Sequence, residues 1–381
     1  MSDTYLHLIQ IGPVQSFIAA ARRTQDLFVG SRLLSMIASA GVRAAQQADP
    51  AAELLFPVLD NSGQLPTSVP HRFAFLSAQA PTEVASAVEQ AVAKCWKHDI
   101  AGKVRGWLQG QVGGGDWMTI FDRQVESWLE VYSVAVRYDD QKHGACYQAA
   151  VQAMSARKQA RHFPQVDEPG RKCTLTGAQS ALSDRDEFWQ RLRNAPDIRP
   201  YQVDESNTDN MVLRSNERLG ALAVIKRFAV MAGVVTQDDP GFPSTEHIAG
   251  WMKDTPPDRP LYLAVLHMDG DRMGKLLGEK KTKEEHRELS QKLAEFARES
   301  VPEIVGANDL KDKGRSALIY AGGDDVLALL PLQTVLACAA EIQERFRQHI
   351  GGTMSAGIAI TSASMPLDIG LDEARHAEKH A

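Results

Sequence analysis

Read as sequence, no stretch of this 381-residue chain is apolar for long enough to cross a bilayer. The N-terminal MSDTYLHLIQIG has neither the basic region nor the cleavage site of a secretory signal. The expectation is a cytoplasmic protein with no membrane partner. Cysteine is scarce: Cys95, Cys146, Cys173 and Cys338 are scattered and form no Cys-x-x-Cys pair, so spacing supports neither a disulfide framework nor a zinc site. An excess of positive charge is missing too. With 42 Lys and Arg against 48 Asp and Glu the net charge is −6, which excludes a generally basic nucleic-acid binder and confines any RNA contact to local patches. What the chain does have is an apolar fraction of 44%, ample for buried cores, at a length that predicts two or three domains.

Two segments organise the rest: LYLAVLHMDGDRMG at 261–274 and SALIYAGGDDVLALLPL at 316–332. In the first, Leu261, Leu263, Val265 and Leu266 form a short apolar strand that runs into Asp269 and Asp271, with Gly270 and Gly274 around them. The second predicts a hairpin, Ala317–Tyr320 and Val326–Leu330, turning at Gly322 and Gly323 and carrying Asp324 and Asp325 at its tip. Adjacent carboxylates at the exits of buried strands repel unless a cation or a cap absorbs their charge. Each segment alone reads as an ordinary Asp- and Gly-rich turn, with Asp269 as a helix N-cap. Together they read as a site where Asp269 and Asp324 or Asp325 converge on Mg²⁺, a hard cation held by one or two carboxylates and substrate phosphates.

MDGDRMG followed by AGGDD resembles the palm of the large subunit of type III CRISPR effector complexes, a relative of GGDEF nucleotide cyclases and polymerase palms. The family's order of strand, helix, two hairpin strands, helix, strand is matched by 261–268, 284–299, 316–320, 326–330, 333–349 and 353–361. GPVQSFIAAARRTQDLFVGSRLLS is similar to the opening of the first, non-catalytic palm of the Cmr-type (III-B) subunit. The resemblance implies an α+β chain of two ferredoxin-like (βαββαβ) palms facing each other with a mostly helical insert between them. On this basis residues 1–140 are the silent palm, 141–256 the insert and 257–381 the GGDD palm.

In the first palm, a strand at 4–11, a helix opened by GPVQSFI, weak strands near 54–59 and over HRFAFLSA, a helix at 81–108 and a strand at 129–138 are expected. No GGDD stands at its hairpin. In the family this palm helps enclose a nucleotide, which makes Ser16 and Gln15 candidate ligand contacts. His98–Asp99 is an isolated HD dipeptide without companion ligands and reads as a surface pair, so no HD nuclease is expected. In the insert, KCTLTGAQSAL and NERLGALAVIKRF resemble the two halves of the family's zinc knuckle. Cys173 is kept, but Thr176, Gly220 and Ala223 stand where the other thiolates would be, and one thiolate cannot hold a tetrahedral zinc. The expectation is no zinc, its place taken by packing. The family usually continues into a C-terminal helical domain, which is not seen after MPLDIGLDEARHAEKHA.

GDRMGK is too short between its glycines to be a Walker A loop. It reads instead as backbone amides at a helix start, Gly270, Asp271, Arg272 and Met273, cradling a triphosphate, with Gly322 and Gly323 beside them. Lys379 matches a lysine that the family places near the phosphates, or is a solvated helix lysine. The resemblance implies two-metal nucleotidyl transfer with Mg²⁺ or Mn²⁺ on Asp269, Asp324 and Asp325, ATP as substrate and cyclic oligoadenylate as product. It also implies partners: other Cmr-type subunits, a guide crRNA and a target RNA that switches synthesis on. A GGDEF-like signalling cyclase using GTP and a catalytically silent scaffold are the alternatives.

Overall fold

A computed structural model describes residues 3–59, 62–66, 68–160, 168–198, 212–236, 243–250, 258–309 and 315–381. The first palm runs β1 (Tyr5–Gly12), α1 (Gln15–Ala19), α2 (Thr24–Ala48), β2 (Glu53–Phe56) and β3 (Arg72–Ser77). It continues with α3 (Pro81–Lys94), α4 (Lys103–Val112), α5 (Trp117–Glu126), β4 (Glu130–Arg137) and α6 (His143–Gln159). Next come α7 (Asp186–Arg193), α8 (Ala221–Phe228) and α9 (Thr245–Ile248). The second palm has β5 (Tyr262–Gly270), α10 (Met273–Gly278), α11 (Lys283–Glu295), α12 (Val301–Ala307), β6 (Ala317–Gly322) and β7 (Asp325–Leu330). It closes with α13 (Val335–Ile350), β8 (Met354–Ser362) and α14 (Leu367–Lys379).

The chain is α+β, with two four-stranded antiparallel sheets ordered β2-β3-β1-β4 and β6-β7-β5-β8. Relabelled within each palm the two orders are identical, with the first and third strands of each unit inside the sheet and the second and fourth at its edges. Central strands are covered on both faces and their sequences show it: Leu6, Leu8, Ile9 and Ile11 of β1 and Leu263 to Leu266 of β5 are all buried. One face of the second sheet, with Ala264, Leu266, Met268, Val326 and Ala328, packs on α11, α12 and α13 through Leu293, Ile304, Ile342 and Phe346. The opposite face, with Leu263, Val265 and Leu329, is covered by Leu367, Leu371 and Ala374 of α14 and joins the core of the first palm. In the first sheet α6 plays the part of α14, packing Tyr147, Ala150 and Met154 on Leu6, Leu8 and Ala74.

The palms pack reciprocally. Helix α2 of the first lies against edge strand β6 of the second, and α11 of the second against edge strand β2 of the first. Glu53 of β2 reinforces the latter contact, its two oxygens 2.6 Å from Lys283 Nζ and 2.9 Å from Arg287 Nη1. Thr282 starts α11 by accepting a hydrogen bond from the Glu285 amide, with Glu284 and Glu285 favourably placed against the helix dipole.

Several expectations shift. Helix α2 is, among the described residues, long and apolar enough to cross a bilayer, contrary to the sequence estimate. Its Ala, Ser and Gly content conceals that length, and Leu27, Leu33, Ile37 and Val42 are buried in the first palm's core. The helix expected over 81–108 continues to Val112 and widens into a π-helical segment at Cys95–Gly102, with His98 and Asp99 on its exposed side. The weak strand at 54–59 ends at Phe56. The boundary drawn at residue 140 separates β4 from α6, which covers its sheet; the boundary at 256–257 lies outside the described residues.

In the insert, the two knuckle halves are tied by backbone bonds, Thr174 N to Arg218 O at 2.8 Å and Leu182 N to Leu219 O at 2.9 Å. The Thr174 hydroxyl adds bonds to the same Arg218 backbone. Cys173 is buried, Gly220 precedes α8 and Ala223 is packed within it. Helix α8 then anchors the insert to the first palm: Arg227 grips both oxygens of Asp26 on α2 at 2.8 and 2.7 Å, with all participating side chains buried. Lys226 donates to the carbonyls of Phe17 and Ala20 at the end of α1.

Candidate functional site

Asp269 lies inside β5, opposite Ser355 of β8, because the strand runs on to Gly270 instead of stopping at Met268. Asp325 is the first residue of β7 and pairs with Gly322, which leaves Gly323 and Asp324 as a two-residue turn. Two glycines allow this geometry. A Cβ on Gly270 would sit 2.7 Å from the Asp324 Cβ, so only glycine lets the two acidic segments touch; a Cβ on Gly322 would sit 2.1 Å from the Tyr320 hydroxyl.

The three carboxyl groups therefore lie near enough for their charges to act on one another, without closing around a single point. Burial raises both Asp269 and Asp325 above the usual carboxylate range; the Asp271 charge adds to the shift at Asp269, and the charges of Asp269 and Asp324 add to that at Asp325. Burial and then the Asp269 charge push Asp324 up to about 6. Tyr320 is raised well above 10 by burial and by all three aspartates. Glu378 of α14 is raised by burial and by Asp269.

Asp271 behaves differently. It accepts from the hydroxyls of Thr353 at 2.5 Å and Ser355 at 2.6 Å, which lower its carboxyl, and its amide donates to Thr353 O at 2.8 Å. Of the four amides expected to cradle a triphosphate, that of Asp271 is engaged by Thr353 O; Arg272 adopts a left-handed φ of 54°, and the helix it precedes has only six residues. Met273 is buried at the wall of a cavity.

Two cavities adjoin the carboxylates, and both are built from both palms. One, of about 560 Å³, is lined by Gln10, Arg72, Tyr147, Met273, Tyr320 and the Gly322–Asp325 turn, among others. The other, of about 520 Å³, brings Gln15 and Ser16 of α1 together with His267, Tyr320, Asp325 and Arg375. Ser16 is exposed and faces the second palm's site from the first. Lys379 is exposed at the end of α14 and lines neither cavity, although its charge reaches His267.

The sequence reading missed His267, Tyr320, Arg375, Glu378 and Arg72. His267 is two residues before Asp269, on the same face of β5; burial holds it neutral, down to about 4, and its Nδ1 is 3.9 Å from Glu378. Arg375 and Glu378 were within reach of a helical-spacing argument from Lys379, since positions three and four apart share a face. Nothing local in HRFAFLSA marks Arg72.

Could these residues hold a divalent ion? Among the described residues no three His, Cys, Asp or Glu side chains close around one point. Yet the crowded charges of Asp269, Asp324 and Asp325 mark a place where a cation would be welcome, and the donors are hard oxygens. They fit a site of one or two carboxylates per Mg²⁺ that a nucleotide's phosphates complete.

Comparison with known proteins follows the same division. Residues 262–381 match the family described as Cas10/Cmr2, second palm domain, and residues 6–101 match CRISPR-associated protein Cmr2, N-terminal. CRISPR system Cmr subunit Cmr2 of Pyrococcus furiosus is 36% identical over 148 residues, which cover 30% of this chain and 16% of that protein. The apo type III-B Cmr-beta structure is similar with a TM-score of 0.69 at 13% identity, over 99% of this chain and 67% of the other. A Csm1-Csm4 cassette in complex with cA4 is similar with a TM-score of 0.56 at 13% identity, over 98% of this chain and 52% of the other.

Proposed function

This chain belongs to the Cas10/Cmr2 family, and from that premise we propose that it is the large subunit of a type III-B CRISPR effector, acting in the cytoplasm. Its second palm joins ATP molecules into a cyclic oligoadenylate when the complex pairs its guide crRNA with target RNA. The observation that carries this reading is the placement of Asp324 and Asp325 at the wall of a cavity shared by both palms, with Asp269 close enough for its charge to act on both. Relatives bound to cognate target RNA, to one ATP and to cA4 support the partners and the substrate.

In this reading Asp324 and Asp325 present oxygens toward the cavity, with Asp269 of the neighbouring strand beside them. Asp269, Asp324 and Asp325 would hold Mg²⁺ or Mn²⁺, which would supply positive charge to acidify the attacking ribose hydroxyl and offset the charge on the departing pyrophosphate. Gly322 and Gly323 keep the turn narrow, so that phosphates approach the backbone closely. Neutral His267 adds no competing cation at the metal side. Ser16 and Gln15, reaching in from α1, orient a second nucleotide in the smaller cavity.

The test is the chain assembled with partner subunits, guide and target RNA, incubated with labelled ATP and Mg²⁺ or Mn²⁺. Cyclic oligoadenylate is expected, absent with Asp269→Asn. Turnover of GTP in place of ATP would favour a GGDEF-like cyclase, and no turnover of either would leave a scaffold.

A further inference from the structure

At the corner where the second palm carries its aspartates, the first palm places Gln10, Arg72 and Lys158, with Glu130 at the start of the neighbouring strand. Arg72 opens β3 and pairs with Gln10 of β1. Asp325 opens β7 and, one position beyond the Met268–Val326 pair, stands against Asp269 of β5. His71 precedes Arg72 as Asp324 precedes Asp325. Lys158 is the penultimate residue of α6, as Glu378 is of α14, and these helices cover equivalent faces of the two sheets.

The two corners meet across the larger cavity, where Gln10 and Arg72 form the wall facing Asp324 and Asp325. The Arg72 charge is felt by both Asp324 and Tyr147. Its Nε is buried without a hydrogen-bond partner. A guanidinium is charged at every accessible pH, and burying one of its donors unsatisfied costs free energy. An arginine serving only as a counter-ion would close on a carboxylate with its fork of donors. Arg72 instead borders the open cavity. Planar arginine forks match phosphate oxygens two at a time, which a lysine cannot do.

We propose that Arg72 of the first palm binds the phosphate chain of the nucleotide seated at the second palm's carboxylates. The silent palm then completes the site with positive charge where its partner palm supplies metal ligands. This inference rests on the nucleotide reading of Asp269, Asp324 and Asp325.

The experiment is calorimetric titration of the full chain with ATP and, separately, with adenosine, both with Mg²⁺, for wild type, Arg72→Gln and Arg72→Lys, with melting temperatures recorded for each. Arg72→Gln is expected to weaken ATP binding on the order of tenfold or more and leave adenosine binding unchanged, with Arg72→Lys recovering part of the loss. Equal ATP affinity in Arg72→Gln and wild type would overturn this inference alone. Parallel loss of ATP and adenosine would also overturn it, since that marks a structural role. A wild-type chain that binds no ATP would overturn it together with the nucleotide reading.

Discussion

His143 at the start of α6 and His286 on α11 meet across the boundary between the palms, Nε2 to Nδ1 at 3.1 Å. The Tyr138 hydroxyl is 3.1 Å from His143 Nδ1, and Phe56 stacks on the His286 ring. One ring must donate and the other accept, so the contact exists with both neutral.

Burial lowers His143 and takes His286 down to about 3; the carboxylates of Asp140, Glu284 and Glu285 oppose the shift at His143, while Lys283 adds to it and Lys280 adds to that at His286. Below pH 6.5 the unfolded chain binds protons that the folded chain refuses, so this stabilisation is present above that pH and lost as pH falls toward the folded value. Melting temperature should therefore drop between pH 7.5 and 5. His286→Gln should cost about 1–3 kcal/mol at pH 7.5 and give a shallower decline with acid. Buried His7, His71 and His267, each lowered to about 4, keep some of the slope. An unchanged slope in the variant would show that the pair is not an acid-sensitive contact.

Asp324→Asn with Asp325→Asn should move stability and activity in opposite directions. Removing two crowded, partly buried carboxyls relieves repulsion of about 1 kcal/mol or more, so the melting temperature at pH 7 should hold or rise. Nucleotidyl transfer by the assembled, target-activated complex should fall by about a hundredfold or more. A collapse of stability in the double variant would make these aspartates structural caps.

The buried pair between Arg227 and Asp26 makes a sharper stability prediction. Glu217 and the Val212 carbonyl complete the arginine's contacts, so Arg227→Met strands two buried carboxylates. Urea denaturation should show a loss of about 3–5 kcal/mol. Replacing Asp26 by Leu at the same time should recover part of it, because the desolvated charge goes with its partner. Additive losses in the double variant would mean that the two residues do not act as a unit.

The knuckle should bind no stoichiometric zinc. Thr174 and Arg218 already join its two halves, Arg218 is held by Asp186 at 2.5 Å, and the side chains at 176, 220 and 223 offer no soft donor. Metal analysis of the purified chain checks this. A chelator-resistant equivalent of zinc would show that other residues supply the ligands.

Where local pattern determines structure, the sequence was readable. The hairpin around Gly322–Asp325 is announced by an acidic glycine turn between two apolar runs, and the strand leading to Asp269 by its unbroken apolarity. What escaped depends on contacts between distant segments. Asp271 is pinned by Thr353 and Ser355 of another strand, and Arg72 acquires its setting only when the second palm docks. Helix α6 was assigned to the insert because its many Ala and Gln residues give it little amphipathic contrast, although Tyr147, Ala150 and Met154 keep helical spacing.

Reciprocal packing of α2 on β6 and of α11 on β2 is the arrangement two identical subunits would adopt about a twofold axis. Here a single polypeptide carries both halves, so their association does not weaken on dilution; the second half sees the first at a concentration set by the tether. Identical subunits must also place the same side chain on both sides of their axis. Within one chain the sides are free to differ, and an aspartate on one side can face an arginine on the other.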